Sequence, residues 1–436
     1  MNFVYDYFSS LSEKARYGKW QLLFLPALFC VIGFYIEIST LSATYIPFKS
    51  LAVKSVLFPL VFLFIGFILP VSLWRRYVIR FRSGVRVLWN RDGFSFAFLL
   101  LVFAVFLLMV AIWGGSADKI YVVGLGGSYT AAELKEMGKY QNEIVMLKRQ
   151  LTIAGMTFQV GELVKIFFMI FVAKMLTDMR SNEQIRWCKE FFLLPFLAFL
   201  PIAFMTFLMP NYSMIMIFAL LLFFMIYVQK MEYKLRIPLT LLLVIPVVIA
   251  FSISKLDADD SLVNVHGVNR IWAFFHDTGP GSDQQNEALQ AMQDGGIIGK
   301  GPGEGTIKLR LFGARNDFAF TILGEELGFW LMFPIIITMM GFLFACFWVA
   351  AGVKTSDSVP KNREEKAVLL AQNIAWGIAI IFALNIFLHI GVNLKVLPNT
   401  GQPLSFVSSG GANLAMNFFL MGMLVQISSF SREEWK

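Results

Sequence analysis

The chain has 436 residues, 57% of them hydrophobic and 15% charged, and its mean hydropathy is +0.67; that composition excludes a soluble globular surface. The net charge of +8 flanks apolar runs, so topology and anionic lipid account for it and no nucleic acid partner is expected. Cys30, Cys188 and Cys346 are too dispersed for a disulfide framework or a zinc site, and His266, His276 and His389 form no HExxH pair.

Residues 1–20 carry mixed charge and the first apolar run lacks a small-residue cleavage site, so no signal peptide is expected. Apolar runs long enough to cross a bilayer, about 20 residues each, then recur near 21–41, 50–73, 93–114, 161–178, 188–209, 212–229, 235–254, 319–351, 367–393 and 410–430. Their Leu, Phe, Ile, Val and Met show no strand-like alternation. The predicted fold is therefore all-α, one polytopic membrane domain over 1–436 with about ten transmembrane helices. Lys and Arg gather in 1–20, 75–91, 179–189, 230–236, 354–366 and the tail 431–436, which puts these segments and both termini in the cytoplasm. Two long segments, 115–160 and 255–317, then lie outside.

Long loops carry function more often than architecture. The first outer segment holds Glu133, Lys135, Glu136, Lys139 and Glu143, read either as a short surface helix or as a solvated connector. The second holds Gly295-Gly296 and Gly299-Lys300-Gly301-Pro302-Gly303-Glu304-Gly305. Such a turn either cradles phosphate oxygens with its amides or merely reverses the chain. It is no Walker A loop, because Gly301 follows Lys300 where Ser or Thr is needed. No internal repeat supports an inverted-repeat transporter. Ionisable residues beside apolar spans are the sharper signal, because hydrocarbon penalises them. Glu162 and Lys165 share a helix face, as a structural pair or a substrate contact. Asp317 stands where the eighth helix begins, as a helix-start carboxylate or a functional acid, and Glu325-Glu326 follow within that helix.

These residues also carry a family pattern. Phe158-Gln159-Val160-Gly161-Glu162-Leu163-Val164-Lys165 resembles the FQPSE-x-x-K motif of the SEDS family (shape, elongation, division and sporulation proteins, among them FtsW and RodA), and Arg149 stands ten residues before Gln159 as that family's arginine does. Arg270, Glu287 to Ala291, Gly295-Gly296 and Gly299 to Gly303 follow the same pattern. Asp317-Phe318-Ala319-Phe320 with Gly324-Glu325-Glu326-Leu327-Gly328 resembles DFIFA-x-x-x-EELG, and Leu397 to Gly411 resembles LP-x-TG-x-PLPFISYGG. The resemblance covers about residues 140–430.

The resemblance implies a peptidoglycan glycosyltransferase of the bacterial cytoplasmic (inner) membrane. It would polymerise lipid II during cell division or elongation, together with a class B penicillin-binding protein and other division or elongation proteins. Asp317 is then the catalytic base for the acceptor hydroxyl, and Arg149, Lys165 and Arg270 are clamps for the diphosphate leaving group. Glu162, Lys300, Glu325, Glu326 and Ser408 complete the candidate substrate-binding set, with Mg2+ or Mn2+ sharing the charge. Departures are visible: Val160 and Gly161 replace the family's Pro and Ser, Ser409 its tyrosine and Asn211 a carboxylate, and Leu311 to Asn316 differ from its approach to the aspartate. Gly301-Pro302-Gly303 is nearer FtsW than RodA. A flippase for the lipid-linked precursor and a non-catalytic scaffold of the division machinery are the alternatives.

Overall fold

The computed structural model describes residues 18–39, 59–67, 96–114, 120–122, 127–129, 150–153, 156–180, 199–207, 212–229, 244–257, 266–311, 314–353, 360, 363–408 and 411–430. In chain order the helices are α1 (Gly18–Ser39), α2 (59–67), α3 (Phe96–Gly114), α4 (Val160–Arg180), α5 (199–207), α6 (Tyr212–Tyr227), α7 (Val244–Ile253), α8 (His266–His276), α9 (Gly279–Gly295), α10 (Ile307–Arg310), α11 (Ala314–Asp317), α12 (Ala319–Gly352), α13 (Arg363–Asn393) and α14 (Gly411–Phe430). Every one of the ten apolar runs thus contains helix. Two helices, Ala319–Gly352 and Glu365–Asn393, are long and apolar enough in their described part to cross a bilayer. Phe103 and Phe106 on α3, and Trp330, Phe333 and Ile337 on α12, point outward and stay exposed, as expected where the surrounding solvent is lipid.

The axis of the bundle is α13, which packs against α4, α6, α9, α12 and α14. Its buried surface is apolar except for Gln372, Asn373, Asn385, His389 and Asn393. The last three recur every fourth residue and so line one helix face, and they lead to the site.

One expectation needs correction, and the structure adds detail to the rest. The all-α reading holds for the spans, but two antiparallel hairpins lie between α3 and α4: β1 (Ile120–Val122) with β2 (Gly127–Tyr129), and β3 (Gln150–Ile153) with β4 (Met156–Gln159). The charged stretch 133–143 lies outside the described residues. Within segment 255–317 the described residues form α8 to α11. Finally, α12 is not continuous: Gly328 has φ 67° and ψ 177°, which breaks it into two helical pieces.

Glycine makes that break possible. A Cβ on Gly295 would meet the Gly324 carbonyl oxygen at 2.3 Å, one on Gly299 the Glu326 oxygen at 2.3 Å, and one on Gly328 the Gly299 nitrogen at 2.3 Å. With the backbones this close, Lys300 N donates to Glu325 O (2.9 Å), Gly301 N to Glu326 O (3.0 Å), Phe329 N to Gly296 O (3.0 Å) and Trp330 N to Ile297 O (2.9 Å). The groups freed by the break in α12 are satisfied by the glycine turn.

Candidate active site

Asp317 ends the single turn α11, and α12 begins two residues later, after Phe318, with no side-chain cap. The first-turn amides of α12 are capped from α13 instead: Thr321 N donates to Asn393 Oδ1 (3.1 Å) and Phe320 N to His389 Nε2 (3.4 Å). The Asp317 carboxylate therefore does not serve the helix start. Its main chain is gripped from two sides, by Asn393 Nδ2 on Asp317 O (3.0 Å) and by Ser408 Oγ on Asn316 O (2.7 Å). The carboxyl itself is half-buried and desolvated, which raises it to about 6, and among the described residues no charge or hydrogen bond offsets that burial. Gly401 (φ 61°) faces it, and a Cβ there would lie 3.6 Å from Asp317 Oδ2.

The loop carrying Gly401 is pinned at several points. Phe406, with φ 64°, drives its ring between Phe342 (5.5 Å), Phe382 (5.3 Å) and Phe418 (5.4 Å). Such a φ is costly for a bulky residue and persists only where packing over-determines it. Gln285 of α9 donates to Val392 O and Leu397 O, both at 2.8 Å. Lys395 pairs with Asp277 and hydrogen-bonds Asn286, and the Lys395 contact holds the Asp277 carboxyl down at about 2.

Glu162 and Lys165 form a buried ion pair at 2.9 Å on α4. Lys165 Nζ also donates to Asn385 Oδ1 (3.0 Å), and Asn385 Nδ2 to Ser405 Oγ (3.3 Å), which ties the pair to the Gly401 loop. Gln402 reaches back to Met214 Sδ (3.4 Å), the side chain that packs on Gly161. Three oxygens in this region, Glu162 Oε1, Thr400 Oγ1 and Gln402 Oε1, are buried and unpartnered among the described residues. Asp317, facing Gly401, and the Glu162–Lys165 pair, linked through Asn385 to Ser405, are thus both tied to the loop that also carries Ser408.

Lys300, Glu325 and Glu326 meet elsewhere. Glu325 accepts from Lys300 (2.8 Å), Thr306 N (2.9 Å) and Ile307 N (2.9 Å). Glu326 accepts from Lys308 (2.8 Å), Tyr35 (2.7 Å), Ser39 (2.6 Å) and Gly303 N (3.1 Å). The amide-rich glycine segment does cradle anions, but they are the chain's own carboxylates. Both side chains are saturated by protein donors, a geometry that serves the fold. The Lys300 ammonium is raised, chiefly by its hydrogen bond to Glu325, and remains 30% exposed. Lys300→Gln is accordingly expected to cost about 1 kcal/mol, read as a small fall in melting temperature with polymerisation retained. Loss of polymerisation at an unchanged melting temperature would instead make Lys300 a substrate contact.

Arg149 lies outside the described residues, and Arg270 is placed only as backbone within α8. Asn385, His389, Asn393, Gln285 and Lys308 were not singled out from sequence. For the first three the signal was present, as a polar stripe at intervals of four in an apolar run. Among the described residues no group of three or more His, Cys, Asp or Glu side chains converges to hold a metal ion, so a protein-built divalent site does not fit them.

A helical bundle with outward apolar faces, holding a desolvated carboxylate and a buried Glu–Lys pair around one pinned loop, is that of a membrane-embedded protein. The chain belongs to the FtsW/RodA/SpoVE family of cell cycle proteins, the SEDS family, whose profile matches residues 52–433. A probable peptidoglycan glycosyltransferase FtsW from Borreliella burgdorferi is 32% identical over 294 residues, covering 64% of this chain and 71% of that protein. One from Thiomicrospira cyclica is 26% identical over 343 residues, covering 73% and 84%. The fold is shared with a chain of a peptidoglycan synthase complex that coordinates polymerization and crosslinking (TM-score 0.63, 18% identity, 95% and 98% covered). It is shared too with the rod shape determining protein RodA of Thermus thermophilus (TM-score 0.56, 17% identity, 95% and 98% covered).

Proposed function

We propose that this chain is an FtsW-type peptidoglycan glycosyltransferase that polymerises lipid II, with Asp317 as the base. The observation that carries this reading is the carboxylate of Asp317, raised by burial, capping no helix and set against Gly401 by clamps on its own backbone. In the reaction the acceptor hydroxyl oxygen bonds to the anomeric carbon of the donor sugar as its proton passes to Asp317. The carbon–oxygen bond to the polyprenyl diphosphate breaks, and the electron pair leaves with the diphosphate. Positive charge near that leaving group lowers the barrier. Lys165, Arg149 and Arg270 are the residues assigned to it, and a divalent cation (Mg2+ or Mn2+) would supply further positive charge there. The FtsW names of the sequence relatives support the activity and the division branch.

The partner in this reading is a class B penicillin-binding protein, supported by the synthase complex that shares the fold. Reconstituted protein supplied with lipid II separates the readings: glycan chains indicate the polymerase, movement of intact lipid a flippase, and neither a scaffold. The Lys and Arg distribution also assigns 255–317 to the outside and 75–91 to the cytoplasm. Gln290 is exposed on α9, so Gln290→Cys in whole cells is expected to react with a membrane-impermeant thiol reagent while Arg82→Cys does not. Labelling of the Arg82→Cys protein would reverse the topology.

A further inference from the structure

We propose that Asn393, at the last position of α13, is a positioning residue that sets the Asp317 carboxylate for proton transfer; the proposal rests on the reading of Asp317 as the base. Asn393 is fully buried. Its Oδ1 accepts from Thr321 N (3.1 Å) and Thr321 Oγ1 (2.7 Å), and its Nδ2 donates to Asp317 O (3.0 Å) and His389 O (2.8 Å). One side-chain amide thus uses both donors and both acceptor sites. The orientation is not arbitrary, because Thr321 N can only donate, so a flipped amide would set donor against donor.

The consequence is mechanical. Asp317 ends α11, and Phe318, at φ −126° and ψ 28°, joins it to α12, with Phe318 N donating to Ala314 O (3.2 Å) and Phe318 O accepting from Ile322 N (3.2 Å). Asn393 bridges that connection, holding the Asp317 carbonyl with one end and the first turn of α12 with the other. Ser408 holds the preceding carbonyl, Asn316 O, from the opposite loop. Two consecutive peptide units are therefore fixed from α13 and from the Gly401 loop, and a side chain projecting from a peptide fixed in this way has little freedom to drift from Gly401. Asn393 touches no reacting atom. It acts through the backbone of Asp317, and misplacing a catalytic group by about 1 Å costs on the order of 10²-fold in rate.

The test is steady-state lipid II polymerisation by the full chain, purified with its partner, for Asn393→Ala, Thr321→Val, Thr321→Ser and the control Asp317→Asn, each with its melting temperature. Asn393→Ala is expected to lower kcat by at least about 30-fold with KM within about threefold, since placement fails and binding does not. Thr321→Val removes one bond that orients the amide and is expected to lower kcat about fivefold, whereas Thr321→Ser keeps the hydroxyl and stays within about twofold. A merely structural role would move the melting temperature, or KM and kcat together. If Asn393→Ala does not fold, the two Thr321 variants decide alone. If Asp317→Asn is inactive while Asn393→Ala keeps its kcat, or if Thr321→Ser falls as far as Thr321→Val, the positioning role is overturned. If Asp317→Asn still polymerises, the base reading fails and this role fails with it.

Discussion

Asp317→Asn is expected to yield a folded, membrane-inserted protein that makes glycan about 10²–10⁴ times more slowly than the parent. The amide keeps the size of the carboxylate and cannot take the acceptor proton. A helix-start role would predict a loss of about 0.5–2 kcal/mol in stability instead. The structure removes that competing account, because Asn393 and His389 cap the first turn of α12 and Asp317 does not. Burial also raises the carboxyl to about 6. A group with its folded pKa raised destabilises the fold when ionised, so replacing it with a neutral amide costs no stability at neutral pH. The same shift sets the pH dependence. The base is competent only when ionised, so the parent's rate is flat above about 6 and falls roughly tenfold per unit below it. Near-normal polymerisation by Asp317→Asn would end the assignment and turn attention to Glu304, since Glu325 and Glu326 are both saturated by protein donors.

Much of this site could be read from the sequence, and the physical reason is local. Glu162, Lys165 and Asp317 stand out because ionisable groups at the edges of apolar runs are expensive there, and in the structure each is tied to the 399–408 loop, Asp317 by facing Gly401 and the pair through Asn385. Ser408, a candidate substrate contact by resemblance, also grips Asn316 O, a contact 92 residues distant in sequence that no local pattern encodes. The glycine cluster was ambiguous for a different reason. Amide nests accept any anion, and composition does not say whether the anion is a phosphate or the carboxylates of Glu325 and Glu326. The break at Gly328 was hidden because an apolar run looks the same whether its helix is straight or interrupted. The helices in 255–317 were hidden because α9 is polar and its pattern matches a solvated segment. Asn393 by itself carries no signal in an apolar run. Taken with Asn385 and His389 at intervals of four, it marks the face of α13 that meets the site.

Lys165→Ala is the second large effect, and it separates two roles for one buried pair. Lys165 is only 1% exposed and its partner Glu162 7%, so removing the lysine leaves a buried carboxylate without its cation and is expected to cost about 3–5 kcal/mol. Lys174 makes its own pair with Asp178 on the same helix but is 26% exposed, so Lys174→Ala should cost at most about 1 kcal/mol. A stability loss alone would leave the function of Lys165 open. The double variant Glu162→Gln/Lys165→Met removes both charges with little change of volume, and restores stability because no buried ion remains unpaired. A pair that served only packing would then polymerise normally. The geometry favours the other outcome: Glu162 Oε1, Thr400 Oγ1 and Gln402 Oε1 are unpartnered among the described residues, so the pair borders polar atoms that no described protein group saturates, beside the loop that faces Asp317. The double variant is therefore expected to melt near the parent temperature while polymerising about 10²-fold more slowly, the usual loss when one preorganised charge-stabilising group is removed. Parental polymerisation at parental stability would make the pair structural, and the diphosphate would then fall to Arg149 and Arg270.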